Sequence, residues 1–334
     1  MLNMGRRNVI ALAFTLLALG AGASVALAAG VIQWGSEGRG AGQFGMGRED
    51  VGGPRQFNDP GGIAIDRAGN PVVTDPSNNR IEVFGPSGSF IRMFGRHGFD
   101  PGAASPAAMG QYNLPQGIAI DASGNYYVAD NRNDRVVKSS PTGRFLARIG
   151  RRGSVRGDFV GPWSVAVHGG VLYVTDQGNY RIEKFSLGGR FLGQFGSFGD
   201  SPGHFLTPWD VKTDAAGNVF VSDLDRNKVL RFRPNGAFVS EFGTLGSGPG
   251  QLNEPEGLAF DAANHLFVVD AGNRRVESFQ ADGTFLREFD VGTSQRTRSP
   301  DATADPVSGP SFIAIDRASG ATYIGGYRQV IKLG

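Results

Sequence analysis

The side chains best placed by type and spacing to do chemistry are two carboxylates and two indoles, in a chain of 334 residues. They follow prolines that head short apolar runs: Pro162-Trp163, Pro208-Trp209-Asp210 and Pro255-Glu256. A pair of carboxylates can share a divalent cation or divide acid and base roles, and an indole face offers a sugar ring or a peptide an apolar platform. The residue after the proline is, in chain order, Gly61, Gln116, Trp163, Trp209, Glu256 and Ser311, with Phe312 next to it. If these positions converge on an axis, Gln116 and Glu256 orient hydroxyls or amides beside Trp163 and Trp209. The competing reading has both indoles plugging a channel, and Asp210 and Glu256 as solvated loop carboxylates.

What would make them converge is repetition. A unit of roughly 47 residues is written six times, as four short β-patterned runs separated by Gly, Asn, Asp and Pro turns, which is the signature of a propeller. The first run of each unit ends at Asp66, Asp121, His168, Asp214, Asp261 and Asp316. The second ends at an aspartate followed five residues later by a cation: Asp75 with Arg80, Asp130 with Arg135, Asp176 with Arg181, Asp223 with Lys228, Asp270 with Arg275. Five-fold recurrence argues for structural ion pairs rather than one catalytic constellation. The expected fold is all-β: a six-bladed β-propeller of four-stranded antiparallel blades over residues 30–334. Unit six lacks a fourth run, and residues 31–35, reading Val-Ile-Gln-Trp-Gly, supply one, so an N-terminal strand is expected to complete the last blade. An open sheet edge would otherwise remain where the ring must close.

The quoted runs carry a resemblance. Pro115-Gln116-Gly117-Ile118-Ala119-Ile120-Asp121, then Gly124-Asn125-Tyr126-Tyr127-Val128-Ala129-Asp130, then Asn133-Asp134-Arg135-Val136 resemble the NHL repeat of six-bladed propellers. The resemblance extends over about residues 31–334 and implies the fold more than an activity. Among proteins of similar repeats, the peptidyl-hydroxyglycine amidating lyases hold zinc with histidines near the axis. The inner loops here carry none: His97 falls in an insertion, His168 at a first-strand end, His204 in a Gly-x-Phe turn and His265 in a hairpin. A lactonase-like calcium site remains open, with Glu256 and Asp210 as acidic ligands. Calcium or zinc therefore enters only under a metal-dependent lyase or hydrolase alternative, and otherwise no cofactor is expected.

Links between units are long at 36–56, 96–109 and 291–307, and are expected to wall one side of the face that also carries the loops between second and third strands. Arg132, Tyr180, Arg226, Arg274 and Tyr327, with Asn179, sit in those loops as further candidate contacts. Gly-x-aromatic recurs at Gly110-Gln111-Tyr112, Gly157-Asp158-Phe159 and Gly203-His204-Phe205. It reads as repeat grammar, not as a dinucleotide motif, which needs a strand–helix context.

The first 29 residues read as a secretory signal, with Arg6-Arg7 before an apolar stretch and Ala26-Leu27-Ala28 as the cleavage site; an uncleaved N-terminal anchor is the alternative. Either places the propeller outside the cytoplasm: secreted, periplasmic or at the cell surface. Twin-arginine export is the weaker route reading. With Arg6 and Arg7 removed, the 33 Lys plus Arg fall to equality with the 31 Asp plus Glu. A neutral domain lacks the footprint of a nucleic-acid binder. The absence of cysteine excludes thiol catalysis, cysteine zinc sites and disulfide scaffolding. The expected function is a non-catalytic scaffold for a protein, peptide or carbohydrate ligand on the loop-rich face, with membrane contact only through residues 1–29 if they stay attached.

Overall fold

Runs rich in Val, Ile, Phe and Tyr suit a pleated strand buried on both faces, and the second strand of each unit is such a run. In the computed structural model, which describes residues 32–34, 37–38, 44–45, 60–99, 110–291, 310–326 and 329–333, Tyr126–Asp130, Val219–Asp223 and Leu266–Asp270 are buried along their whole length. Each lies in the middle of a four-stranded antiparallel blade, and six such blades are present among the described residues. Blade four is representative: Pro208–Thr213, Val219–Asp223, Lys228–Phe232 and Phe238–Phe242, in that order.

The first strands form the inner wall. They are Gly62–Ile65, Pro115–Ile120, Pro162–His168, Pro208–Thr213, Pro255–Phe260 and Phe312–Ile315, and each packs on the first strands of both neighbouring blades, so the ring is closed. The core lies between blades rather than within one. Ala119, Tyr127 and Val136 of blade two, for instance, bury against Val165, Leu172 and Phe185 of blade three. Blade six consists of Phe312–Ile315, Thr322–Gly326 and Gln329–Leu333, and Ile32–Trp34 is its fourth strand, pairing Ile32 with Lys332, Gln33 with Ile331 and Trp34 with Val330.

The repeat residues have local jobs. Asp121 accepts hydrogen bonds from the Ser123 and Asn125 amides and the Asn125 side chain, closing the hairpin between the first two strands; Asp66 and Asp214 do likewise. Blade three replaces this with a two-residue turn, Gly169-Gly170, both glycines at positive φ (56° and 82°), which suits the twist of a hairpin and leaves His168 free of the turn role. The Gly-x-aromatic motif folds the links into blades three and four back on themselves, and Leu252 takes the aromatic place in the link into blade five. Phe159, Phe205 and Leu252 make parallel bridges to Arg152, Phe198 and Leu245 and are fully buried. Room for Phe205 depends on Gly196, where φ is +84° and a Cβ would come within 2.2 Å of the ring.

Four of the five Asp–cation pairs form as the spacing suggests: Arg80 to Asp75 at 3.1 Å, and Arg135, Arg181 and Arg275 to Asp130, Asp176 and Asp270 at 2.8 Å each. The fifth does not. Lys228 pairs with Glu241, and Asp223 instead accepts the amides of Leu206 and Thr207. A guanidinium can bind aspartate through Nε while its terminal nitrogens hold the link carbonyls, and an ammonium cannot span both. Arg226 takes over the second task, donating to the carbonyls of His204 and Asp200 and pairing with Glu241 at 2.8 Å. The remainder of the three long links, and residues 1–31, lie outside the described residues.

Candidate functional site

The inner wall has two different ends. Where the first strands begin, small residues bring adjacent backbones together: a Cβ on Gly117 would stand 2.6 Å from the Ser164 Cα, and one on Gly257 2.6 Å from the Phe312 Cα. This end is consequently narrow. Its small cavity is lined by Gly61, Gly117, Trp163, Trp209, Gly257 and Ser311, among others, so the residues at and just after the proline-following positions do converge. The two indoles touch, with ring centroids 4.3 Å apart and planes at 48°. Both are half-buried, a position between a packed plug and an open platform.

Beside them the wall is polar and internally satisfied. Asp210 is buried; its Oδ1 accepts the Ser164 hydroxyl at 2.5 Å, the Val211 amide at 2.8 Å and the Lys212 ammonium at 2.6 Å, and its Oδ2 accepts the Leu258 amide at 2.8 Å. One carboxylate thereby ties blades three, four and five together. Glu256 is buried too, and its main-chain carbonyl takes the Ser222 hydroxyl at 2.6 Å, which in turn accepts the Asp210 amide. Gln116 is buried with its Nε2 unpaired.

The loop candidates divide. Arg132 and Arg274 are exposed, the latter at positive φ. Tyr180 is half-buried, edge-on to Phe198 at 4.9 Å. Arg226 turns inward: its side chain is 4% exposed and held by the contacts described above, so its charge belongs to the blade rather than to the face. Tyr327 lies outside the described residues. Histidines stay apart, His204 on Ser197 and His265 on Asp261, and among the described residues no three His, Asp or Glu side chains are grouped to hold a metal ion.

Burial perturbs the carboxylates of the ion-pair layer. Desolvation pushes Glu183 and Glu277 up to about 7 against the lowering effect of Arg181 and Arg275, and Asp130 up to about 6. Glu183 and Glu277 each bind arginine through one oxygen and leave Oε2 buried and unpaired. Glu183 and Glu277 lie on third strands, and Asp130 ends a second strand opposite Pro115.

Sequence reasoning missed Lys212. Four residues after the proline the units read Ala64, Ala119, Ala166, Lys212, Ala259 and Ala314, so a single long cation stands in a ring of alanines on the inner wall. Comparing the units column by column exposes it; reading only the residues next to each proline does not.

Residues 112–138 match the family model of the NHL repeat. No curated protein matches the chain in sequence. Among solved structures it is similar to catalytically inactive virginiamycin B lyase from Staphylococcus aureus with quinupristin, at 14% identity and TM-score 0.56 over 84% of this chain and 81% of that one. A gluconolactonase from Xanthomonas campestris gives 14% identity and TM-score 0.60, covering 83% and 86%. A chain of the nidogen/laminin complex gives 18% and 0.50, covering 74% and 82%. At these identities the likeness concerns fold alone. Together with the ring of blades, the matched repeat makes this chain a six-bladed β-propeller carrying an NHL repeat.

Proposed function

We propose that the chain is an exported, non-catalytic propeller that binds a protein or peptide on the face carrying the links and the loops between second and third strands. The observation that supports this best is the touching, half-buried pair of Trp163 and Trp209, which shares its face with exposed apolar side chains. Val155 is 63% exposed, Phe198 65% and Leu245 67%, each on a link between successive blades. Aromatic anchors on a face that carries further exposed apolar side chains suit a polypeptide surface better than a sugar. The commitment of Asp210 to four donors agrees with a structural rather than a reactive carboxylate. The protein complex named among the similar structures, nidogen with laminin, offers a precedent for binding on this fold by analogy only.

The second reading is a lyase or hydrolase, after the names of the lyase and gluconolactonase neighbours. Metal analysis of the purified protein separates them: stoichiometric calcium or zinc, lost in Glu256→Gln, favours the enzyme. For the binding reading, a photo-crosslinking amino acid at Leu245 should capture a discrete partner in the culture from which the protein is exported, and one at Ala215, in a hairpin of the opposite face, should not. Equal labelling from both positions contradicts the assignment. Export itself is checked by N-terminal sequencing, which should read from Ala29 or Gly30.

A further inference from the structure

The wider opening lies at the other end of the axis. A cavity of about 670 Å³ begins where the first strands end, within the size range of small-molecule sites. Its walls include Ile65, Ile120, Val167, Phe260 and Ile315, one from each of five blades. Lys212, the lone cation in the alanine ring, lines it as well, and it also reaches the small cavity behind, which places it at the floor.

Lys212 has donor capacity to spare. Its ammonium gives one N–H to Asp210 at 2.6 Å and another to the Val211 carbonyl at 3.3 Å, and an ammonium has three. Asp210 is meanwhile held by Ser164, Val211 and Leu258 as well, so its negative charge is spread over several donors rather than spent on the lysine alone. At the rim stand His168, Arg67 and Arg317. Both arginines are exposed. Arg317 donates its Nε to the Phe260 carbonyl at 3.2 Å, which leaves its terminal nitrogens unused. Two carboxylates also line the rim, Asp66 and Asp316, but each has both oxygens engaged by donors of its own hairpin.

We propose that this funnel is a second binding site, separate from the indole face, for a small organic carboxylate with a compact apolar body. The anion would sit on Lys212 with Arg67, Arg317 and His168 above it, and the body against the aliphatic walls. A pocket of mixed polar and aliphatic lining selects through its free donors, since a donor left unsatisfied when a ligand displaces water favours the ligand that satisfies it.

Isothermal titration with 2-naphthoate and its neutral isostere 2-naphthamide tests the assignment. Naphthoate should bind in the micromolar range and the amide at least 10-fold more weakly, with Lys212→Met erasing the difference. Because Lys212→Met could unfold the ring, two exposed changes stand beside it: Arg67→Ala with Arg317→Ala should weaken naphthoate several-fold, and Ala68→Trp with Ala318→Trp, which narrows the mouth, should weaken both ligands. Equal affinity for acid and amide, naphthoate binding no tighter than millimolar, or indifference to all rim changes would each overturn the proposal. None of these results depends on whether the indole face binds a polypeptide.

Discussion

Removing the Asp210 carboxylate should loosen the whole ring, because that group joins three blades at the axis. In Asp210→Ala the Ser164 hydroxyl and the Leu258 amide lose their acceptor, and Lys212 loses its counter-ion. Breaking a buried ion pair from one side costs about 3–5 kcal/mol. The side chains are 10% exposed for Asp210 and 27% for Lys212, so the lower end applies, about 3 kcal/mol, or a fall of about 5 °C in melting temperature for a chain of this size. Lys212→Ala should cost less, about 1–2 kcal/mol, since Asp210 keeps three donors and the new side chain matches the alanines of the other blades. The double variant Asp210→Ala with Lys212→Ala removes the stranded ammonium together with its partner. It should therefore be more stable than the two single losses add up to, by at least about 1 kcal/mol. Equilibrium urea unfolding at neutral pH of the four proteins gives this coupling directly. Strict additivity, or an Asp210→Ala protein as stable as the parent, would refute the view of Asp210 as the axial tie.

Three further outcomes follow from other parts of the ring. A chain beginning at Ser36 lacks the strand Ile32–Trp34 and its pairing with Gln329–Leu333; at roughly 0.5–1.5 kcal/mol per hydrogen bond, it should melt several degrees below one beginning at Ala29. Gly196→Ala places a methyl 2.2 Å from the Phe205 ring at positive φ and should cost roughly 2 kcal/mol or more, read by thermal melting. Glu183 and Glu277 have folded-state values near 7, above the unfolded value of about 4.5. The unfolded chain therefore loses these protons first, and stability should fall between about pH 4.5 and 7 and level off above. Glu183→Gln with Glu277→Gln should flatten that part of the profile; an unchanged slope in urea unfolding would count against their burial as protonated acids.

The propeller was legible because each blade repeats the same solutions: an aspartate closing a hairpin, an arginine bridging strand and link, a Gly-x-aromatic anchoring the next blade. Repetition also misled. Asp223 and Lys228 have the right spacing, but charge type is not geometry, and the missing guanidinium is restored two residues earlier by Arg226. The register brought Gly61, Trp163, Trp209 and Ser311 to one inner cavity, where the two indoles meet, whereas Gln116 and Glu256 are buried and do not line it. What it could not give was the width of the channel at either end. That depends on how closely Gly117 approaches Ser164 and Gly257 approaches Phe312, which are contacts between blades, and so the funnel at the far end went unread. Lys212 was visible only as an exception to a column of alanines.

Peptide display decides whether the paired indoles bind a polypeptide. Random peptides selected on the wild-type protein should bind with micromolar affinity or better, and lose at least 10-fold on Trp163→Ala with Trp209→Ala, while the variant keeps the wild-type circular dichroism and most of its melting temperature. Peptides that bind the truncated protein equally well, or a variant that loses roughly 3–5 kcal/mol per indole as a core plug would, would contradict the reading of this face as a binding platform.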